Sequence, residues 1–196
     1  MARLREYDQS QVLSAAMEAF RCGGFGGVSI KTLEVATGLK AGSIYNSFGD
    51  KEGLFKASFS HYVEVVLKAR IAQYAPPEAG LAGVRRLFVS LLHEPGEGSL
   101  GCLITNSAIE FGGTSALPVP IGTALNILAT ALKERLSAAV PAWSTGSRIG
   151  PETASLKFLA LYQGILVLIR AGWDKAALEA MLNAEFDRLE GYEHDT

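Results

Sequence analysis

The 196-residue sequence has few cysteines and histidines, two and three respectively, and no low-complexity tract. The two cysteines, Cys22 and Cys102, lie far apart, and no histidine is close to either of them. This spacing excludes the short Cys/His pairs that bind zinc, and it excludes a disulfide framework. We therefore expect a reducing, cytoplasmic location and no cofactor. The first ten residues also lack the apolar core of a signal peptide, so we expect no export.

Long apolar runs are absent as well. The longest run, residues 158–169, is interrupted by Gln163 and Gly164. A membrane span needs about 20 consecutive apolar residues, which is clearly more than this run provides. We therefore predict a buried helix here rather than a membrane anchor, and no membrane partner.

Signatures of β-strands and of common enzymes are missing too. No segment shows the two-residue alternation, bounded by turn residues, that is typical of strands. There is no G-x-S-x-G, H-E-x-x-H or Walker motif. Residues 96–101 match the G-x-G-x-x-G string of dinucleotide-binding loops, but they follow a predicted helix and not a strand. We therefore predict an all-α protein that is not an enzyme.

The charges are nearly balanced, and the net charge is −2. The first 60 residues contain seven Lys/Arg and six Asp/Glu, whereas the remaining residues contain eleven and fourteen. The N-terminal part is thus slightly basic and the rest slightly acidic. This asymmetry is mild, and it indicates a nucleic-acid partner only in combination with a motif.

Apolar residues recur at helical spacing along most of the chain, and capping residues, Gly and Pro separate the repeats. Asp8 is a candidate N-cap for the first helix, and Asp174 is one for the last. Pro76-Pro77 must end a long helix, and Pro151 suits the first turn of another. We predict about nine helices, over residues 9–22, 30–37, 40–48, 50–74, 81–93, 102–111, 120–139, 151–171 and after Asp174.

Residues 29–54 carry the most specific pattern. Ser29 can cap a short helix, and Gly38 can end that helix in the left-handed backbone conformation. A second short helix over residues 40–48 follows, and Gly49-Asp50 leads into a long third helix. Two short helices joined by a glycine turn form a helix-turn-helix unit, whose second helix enters the major groove of DNA.

The residues around this unit resemble the DNA-binding domain of the TetR family of transcriptional regulators. That family has a Phe…Gly-Phe segment before the unit and a Leu-Tyr-x-x-Phe-x-x-Lys-Glu-x-Leu string at its end. The matching residues here are Phe20, Gly24-Phe25, Ile44-Tyr45, Phe48 and Lys51-Glu52-Gly53-Leu54. The resemblance implies a helix-turn-helix DNA-binding domain at residues 1–50 and a helical effector-binding and dimerisation domain at residues 51–196.

The resemblance also implies which residues contact DNA: Arg3, Arg5, Ser29, Lys40, Ala41, Gly42, Ser43, Tyr45, Asn46 and Lys51. Two departures from the family pattern matter. Many members have Lys where this chain has Ala41, so the base-reading code cannot be transferred. Glu34 occupies a position that is usually a small alanine; its stem can pack there while its carboxylate reaches solvent, and the sequence does not decide its placement.

Residues 101–110 resemble a segment that lies beside the ligand cavity in a subset of TetR-type regulators. Cys102, at the start of this helix, is either a small buried residue or a redox- or electrophile-sensing thiol. Asn106 and Glu110 lie one turn apart on the same face, and we consider them as polar contacts for an effector. Cys22 is expected to be a small buried residue.

The last two helices are candidates for a dimer interface. The segment after Pro151 is apolar on nearly every side, which is typical of a helix buried in a core or against another subunit. The resemblance implies that these helices pair with those of a second copy. The residues chosen for this interface are Phe158, Tyr162, Leu166, Ile169, Leu182 and Phe186.

Together these features predict a homodimeric transcriptional regulator that binds a double-stranded DNA operator. A repressor is favoured, released by a small apolar or thiol-reactive effector of unknown identity. Two copies would read half-sites about 34 Å apart, or a multiple of that distance. The alternative is an all-α ligand-binding or enzyme domain whose N-terminal part serves an interaction other than DNA binding.

Overall fold

The computed structural model describes residues 7–93, 101–112, 119–139 and 150–194, and these form nine helices and no strand. This confirms the all-α fold. Arg3 and Arg5 lie outside the described residues. The helices are α1 (Gln9–Gly27), α2 (Ile30–Thr37), α3 (Ala41–Phe48), α4 (Lys51–Tyr74), α5 (Gly80–Val89), α6 (Leu103–Phe111), α7 (Ile121–Ala139), α8 (Pro151–Arg170) and α9 (Lys175–His194). Helix α4 combines three consecutive stretches: it is α-helical over Lys51–Tyr62, π-helical over Val63–Lys68 and α-helical again over Ala69–Tyr74.

The chain divides into two compact units. Within the described residues, unit 1 comprises 7–66, 101–112 and 119–121, and unit 2 comprises 67–93, 122–139 and 150–194. Unit 1 therefore contains α1 to α3, the first part of α4, and α6. The predicted domain boundary after residue 50 stays a prediction.

An aromatic cluster forms the centre of unit 1. Phe20 of α1 and Phe55 of α4 are 0 and 1% exposed, and their ring centroids are 4.9 Å apart in an edge-to-face arrangement. Phe25 contacts both rings, and Phe111 of α6 contacts Phe25 and Phe55 with centroids 5.8 Å away. Such edge-to-face pairs add to the stabilisation that burial of the rings provides. The cluster joins α1, α4 and α6.

The helix boundaries of unit 1 follow the predicted capping residues. The Asp8 carboxylate accepts hydrogen bonds from the backbone of Ser10 and Gln11, and so caps α1. Asp50 accepts from the Gly53 amide at 2.7 Å and caps α4. Gly38, with a φ of 72°, ends α2 in the left-handed conformation. These caps confirm the predicted positions of the turns that follow α2 and α3.

Unit 2 has an aromatic core of its own. Phe88 of α5 packs against Phe158 and Tyr162 of α8 and against Phe186 of α9, with centroids 5.3–5.7 Å apart. Across the surface, Arg85 of α5 binds Asn183 and Asp187 of α9. Lys157 and Arg188 bind the Glu185 carboxylate. Burial raises the pKa of Glu185, but these two cations outweigh that effect and lower it.

The six residues chosen for the dimer interface all belong to this core. Phe158, Tyr162, Leu166, Ile169, Leu182 and Phe186 are each between 0 and 6% exposed within one chain. They are therefore covered largely by neighbouring helices of their own chain. The apolar period in the sequence marks the face of α8 that packs inward, and the assignment of these six residues to a dimer interface stays a prediction.

Among the described helices, α8 is the one that is long and apolar enough to cross a membrane, with a mean hydropathy of 1.4. A core helix of a globular protein has the same length and composition. Seven of its residues, including Phe158 and Ile165, are buried against the rest of the chain. This burial matches the prediction of a core helix.

Candidate nucleic-acid interface

Helix α3 presents an exposed face that is formed by four of the ten residues predicted to meet DNA. Gly42, Ser43, Tyr45 and Asn46 are exposed, and Tyr45 is 47% exposed although it is aromatic. On the opposite side, Ile44 is completely buried. One apolar side chain thus anchors this two-turn helix, and its small and hydrogen-bonding residues face outward.

Glu34 fixes the start of α3. Its carboxylate oxygen Oε1 accepts a hydrogen bond from the Ala41 amide at 2.7 Å. Lys40, at the N-cap position, makes no capping bond with its own side chain, so Glu34 supplies the cap from the preceding helix. A carboxylate at this end also interacts favourably with the helix dipole. The Glu34 carboxylate is therefore engaged with the backbone of α3, which decides the placement that the sequence left open.

Lys40 and Lys31 supply positive charge on the exposed surface beside α3. Both side chains are exposed, Lys31 at the start of α2 and Lys40 at the start of α3. The Ser29 hydroxyl accepts the Thr32 amide at 3.0 Å and so caps α2, as predicted from the sequence. Ser29 is itself exposed. Cations and hydroxyl groups of this kind are suited to phosphate contacts.

Lys51 is directed into unit 1. Its ammonium group donates to the Phe25 carbonyl at 2.8 Å and to the Val28 carbonyl at 2.9 Å. It also lies 4.2 Å from the centroid of the Phe25 ring. Two of its three N–H donors are thus used within the protein. The contact that the structure shows for Lys51 is an internal one, whereas the sequence suggested a phosphate contact.

One contact beside α3 has no signal in the sequence. The Tyr7 hydroxyl lies 2.6 Å from the Ser47 hydroxyl and donates to it. This bond connects a residue two positions before α1 to the last turn of α3. Because the two residues are separated by 40 positions, no helical spacing or capping pattern predicts their proximity.

The two polar residues proposed as effector contacts lie against α1. The Asn106 side-chain amide donates to the Arg21 carbonyl at 3.1 Å. The Glu110 carboxylate accepts the amides of Phe25 and Gly26 at 2.8 and 2.6 Å. Both residues thus bind the backbone of α1 inside unit 1.

The two cysteines differ in exposure. Cys102, at the N-cap position of α6, is 6% exposed. Cys22 is exposed on α1, contrary to the expectation that it is buried, because the helix turns its position outward beside Arg21. Among the described residues, no group of three or more His, Cys, Asp and Glu side chains is arranged to hold a metal ion.

Arg21 is a buried cation that sequence reasoning did not single out. It is 7% exposed, and its guanidinium donates through Nε and Nη2 to the Gly101 carbonyl at 3.0 and 2.8 Å. It also pairs with Glu18 and lies 5.6 Å from the centroid of the Tyr62 ring. These partners satisfy the charge, as a buried arginine requires. Arg21 thereby fastens the residue before Cys102 to α1.

Residues 12–58 match the family model described as bacterial regulatory proteins, tetR family. The chain is 33% identical over 113 residues to the uncharacterized HTH-type transcriptional regulator YezE of Bacillus subtilis, covering 56% of this chain and 58% of YezE. It is 37% identical over 62 residues to the HTH-type transcriptional repressor ComR of Escherichia coli, covering 32 and 30% of the two chains. The chain thus matches little more than half the length of YezE and under a third of ComR.

A solved structure shares the fold over almost the whole chain. It is a cysteine mutant of the TetR family transcriptional regulator CifR, complexed with 26bp double-strand operator DNA. The TM-score is 0.77 at 21% identity, over 95% of this chain and 98% of the other. At this identity the likeness concerns the fold. Residues 12–58 thus match the DNA-binding domain of the tetR family of bacterial regulatory proteins, and the chain as a whole shares the fold of a solved TetR family regulator.

Proposed function

We propose that this protein is a DNA-binding transcriptional regulator, and that it acts as a repressor. The observation that carries the proposal is the construction of α3, whose start is capped by Glu34 and whose exposed face carries Ser43, Tyr45 and Asn46. A helix held in this way can enter a major groove with its polar face toward base edges and phosphates. The names of two similar proteins support it: ComR is described as a repressor, and the CifR structure contains operator DNA.

Within this function, the candidate DNA contacts have different roles. Ser29, Lys40 and Tyr45 would contact phosphates, whereas Ser43 and Asn46 would meet base edges or adjacent phosphates. Gly42 has nothing within 4 Å of where a Cβ would be, which leaves room for DNA to approach the backbone. Ala41 and Lys51 would act indirectly, because the Ala41 amide and the Lys51 ammonium already have partners within the protein. Arg3 and Arg5 would add an arm in the minor groove, as the family resemblance implies.

We propose that two copies associate through the exposed face of α8 and α9. Leu156, Val167 and Met181 are 64, 45 and 41% exposed, which is high for such apolar side chains. Small residues separate them and would allow helices to approach closely. These exposed small residues are Ala160, Gly164, Ala177, Ala180 and Ala184. A twofold dimer would place two copies of α3 on successive half-sites.

We propose that the effector is a small apolar or thiol-reactive molecule, and that Cys102 is the residue that senses a reactive one. Cys102 follows Gly101, whose carbonyl is held by the buried Arg21. A group added to the Cys102 thiol would have to displace buried neighbours, since this residue is 6% exposed. Displacement at this point would disturb the attachment of residues 101–112 to α1. Release of DNA then follows from a difference in effector affinity between two arrangements of the protein.

We further propose that the protein is not an enzyme and that it resides in the cytoplasm, where its operator DNA is found. The rival function is an all-α ligand-binding or enzyme domain whose N-terminal unit binds something other than DNA. The first function predicts specific binding to duplex DNA and the rival predicts none, so one experiment distinguishes them.

The test is selection of duplexes from a random 30-base-pair library with the full-length protein, followed by titration of the selected duplex and a scrambled one. We expect specific binding that is stronger than binding to the scrambled duplex by about a thousandfold or more, and that weakens as salt rises. A protein that enriches no sequence, or that binds both duplexes equally, would reject the regulator and favour the rival. Addition of N-ethylmaleimide tests the sensor: release is expected from wild type and from Cys22→Ser, and no release from Cys102→Ser.

A further inference from the structure

We propose that Glu110 is a positioning residue for DNA binding. It acts through the corner, defined here as residues 24–28, which comprises the end of α1 after its break at Gly24 together with Val28, and which precedes the helix-turn-helix. The proposal rests on the proposed function, because it explains how an element outside the helix-turn-helix sets the position of α2 and α3.

The corner begins where α1 loses its regular conformation. Gly24 has a φ of 70° and a ψ of 170°, values that interrupt the helix and that favour glycine. After this break, the Phe25 amide donates to Glu110 Oε2 and the Gly26 amide donates to Glu110 Oε1. One carboxylate thus holds two successive amides, each with its own oxygen. Hydrogen bonds to an ionised acceptor are stronger than neutral ones.

Lys51 binds the carbonyl group of Phe25, whose amide is bound by Glu110. Its ammonium group binds the Phe25 carbonyl and the Val28 carbonyl and lies over the Phe25 ring. Phe25 is therefore held at its amide by an anion from α6 and at its carbonyl by a cation from α4. Val28 is 3% exposed, and the next residue, Ser29, caps α2. A displacement of the corner thus passes directly to the start of α2.

The glycines of the corner permit this contact. A Cβ at Gly24 would lie 3.0 Å from a Glu110 oxygen, and a Cβ at Gly26 would lie 3.2 Å from the other. These distances are tight for carbon and oxygen, so the carboxylate sits where only small residues leave room. The Gly-Phe-Gly sequence thus leaves space for Glu110, which lies 85 positions after Phe25 and 84 positions after Gly26.

The segment that contains α6, residues 101–112, binds α1 at two further points. Arg21 donates to the Gly101 carbonyl, and Asn106 donates to the Arg21 carbonyl. In the sequence, α6 lies between α5, which belongs to unit 2, and α7, whose residues after Ile121 belong to unit 2. Glu110 thus connects the corner to a segment of unit 1 that is preceded and followed, along the chain, by residues of unit 2.

The experiment compares Glu110→Gln with a matched control, Glu52→Gln, in the full-length protein. Gln has the size of Glu, but it offers one acceptor oxygen and would turn an N–H₂ group toward the second amide. Glu52 is in unit 1 as well, and its ion pair with Lys56 is partly exposed. Both variants change the net charge equally. The readouts are affinity for the duplex selected by wild type, affinity for a scrambled duplex at the same salt, and amide exchange at Phe25 and Gly26.

For Glu110→Gln we expect about a tenfold loss of affinity for the selected duplex and less than about a twofold change for the scrambled one. Exchange at Phe25 and Gly26 should be faster, and Glu52→Gln should change neither readout. General destabilisation would weaken both duplexes together, so the ratio of the two affinities isolates positioning. An unchanged ratio with faster exchange overturns positioning, and unchanged exchange overturns the contact itself. If wild type binds no duplex specifically, the proposed function fails, and the exchange readout still tests the contact.

Discussion

At the scale of single residues, Lys51 shows how a motif position can acquire a structural role. The family pattern suggests that this lysine meets a phosphate at the start of a helix. Here its ammonium group binds two carbonyls at 2.8 and 2.9 Å and lies over an aromatic ring. These contacts stabilise unit 1, and a phosphate contact by the remaining N–H donor of Lys51 stays a prediction.

We therefore expect Lys51→Met to lower the free energy of unfolding by about 1–3 kcal/mol, because it removes two charge-assisted hydrogen bonds and the contact with the ring. Urea unfolding followed by circular dichroism measures this change. Lys31→Met, at an exposed position on α2, is the control and should change stability by less than about 0.5 kcal/mol.

A different set of results for Lys51→Met would show that Lys51 contacts a phosphate. If Lys51→Met left stability unchanged, weakened all duplexes alike and reduced the salt dependence of binding by about one ion, Lys51 would be a DNA ligand. The two roles thus differ in stability, in sequence dependence and in salt dependence, and a single variant distinguishes them.

At the scale of elements, α3 depends on a cap that comes from another helix. Glu34, on α2, accepts the Ala41 amide at 2.7 Å. Without it, the first turn of a helix of eight residues would have an unsatisfied amide. Alanine, the usual residue at this position in helix-turn-helix units, cannot supply such a cap.

We expect Glu34→Ala to lower the free energy of unfolding by about 1 kcal/mol, even though alanine has the higher helix propensity. Lys31→Ala, on the same helix, is the control and should be neutral or slightly stabilising. Urea unfolding gives both values. A Glu34→Ala protein that is as stable as wild type, or more stable, would mean that the cap contributes nothing and that propensity decides.

The sequence predicts most of the helices because their ends are local. Asp8, Ser29, Asp50 and Asp174 cap the helices that follow them, and each bond spans two or three residues. What it does not predict are contacts between distant segments. Nothing local places Glu110 at the amides of Phe25 and Gly26, and from the sequence alone the same carboxylate is a candidate effector contact.

The same limit applies to the apolar face of α8. A helical period identifies a buried face, but it does not say whether the same chain or a second copy covers that face. The period predicts Leu166 as an interface residue on this basis, and in one chain Leu166 is 6% exposed. A charged substitution there would disrupt the core of unit 2 and so would not test association.

At the scale of the whole molecule, the proposed regulation would require two copies held at a fixed spacing. Three apolar side chains of α8 and α9, Leu156, Val167 and Met181, form an exposed surface that fits this role. Their exposure in a single chain places apolar surface in water, and association would remove it. Val167 lies within this surface, close along α8 to the exposed Gly164.

We expect Val167→Arg to convert the dimer into a folded monomer and to raise the dimer dissociation constant by at least about a hundredfold, because it places a charge in an apolar contact. Light scattering coupled to size-exclusion chromatography measures the mass, and circular dichroism checks the fold. Thr130→Arg, at an exposed polar position on α7, adds the same charge and should remain a dimer.

The Val167→Arg monomer should also lose affinity for the selected duplex, since two separate copies then bind its two half-sites independently. A Val167→Arg protein that stays dimeric would place the interface on another surface, and a monomer with full affinity would show that one copy suffices for recognition.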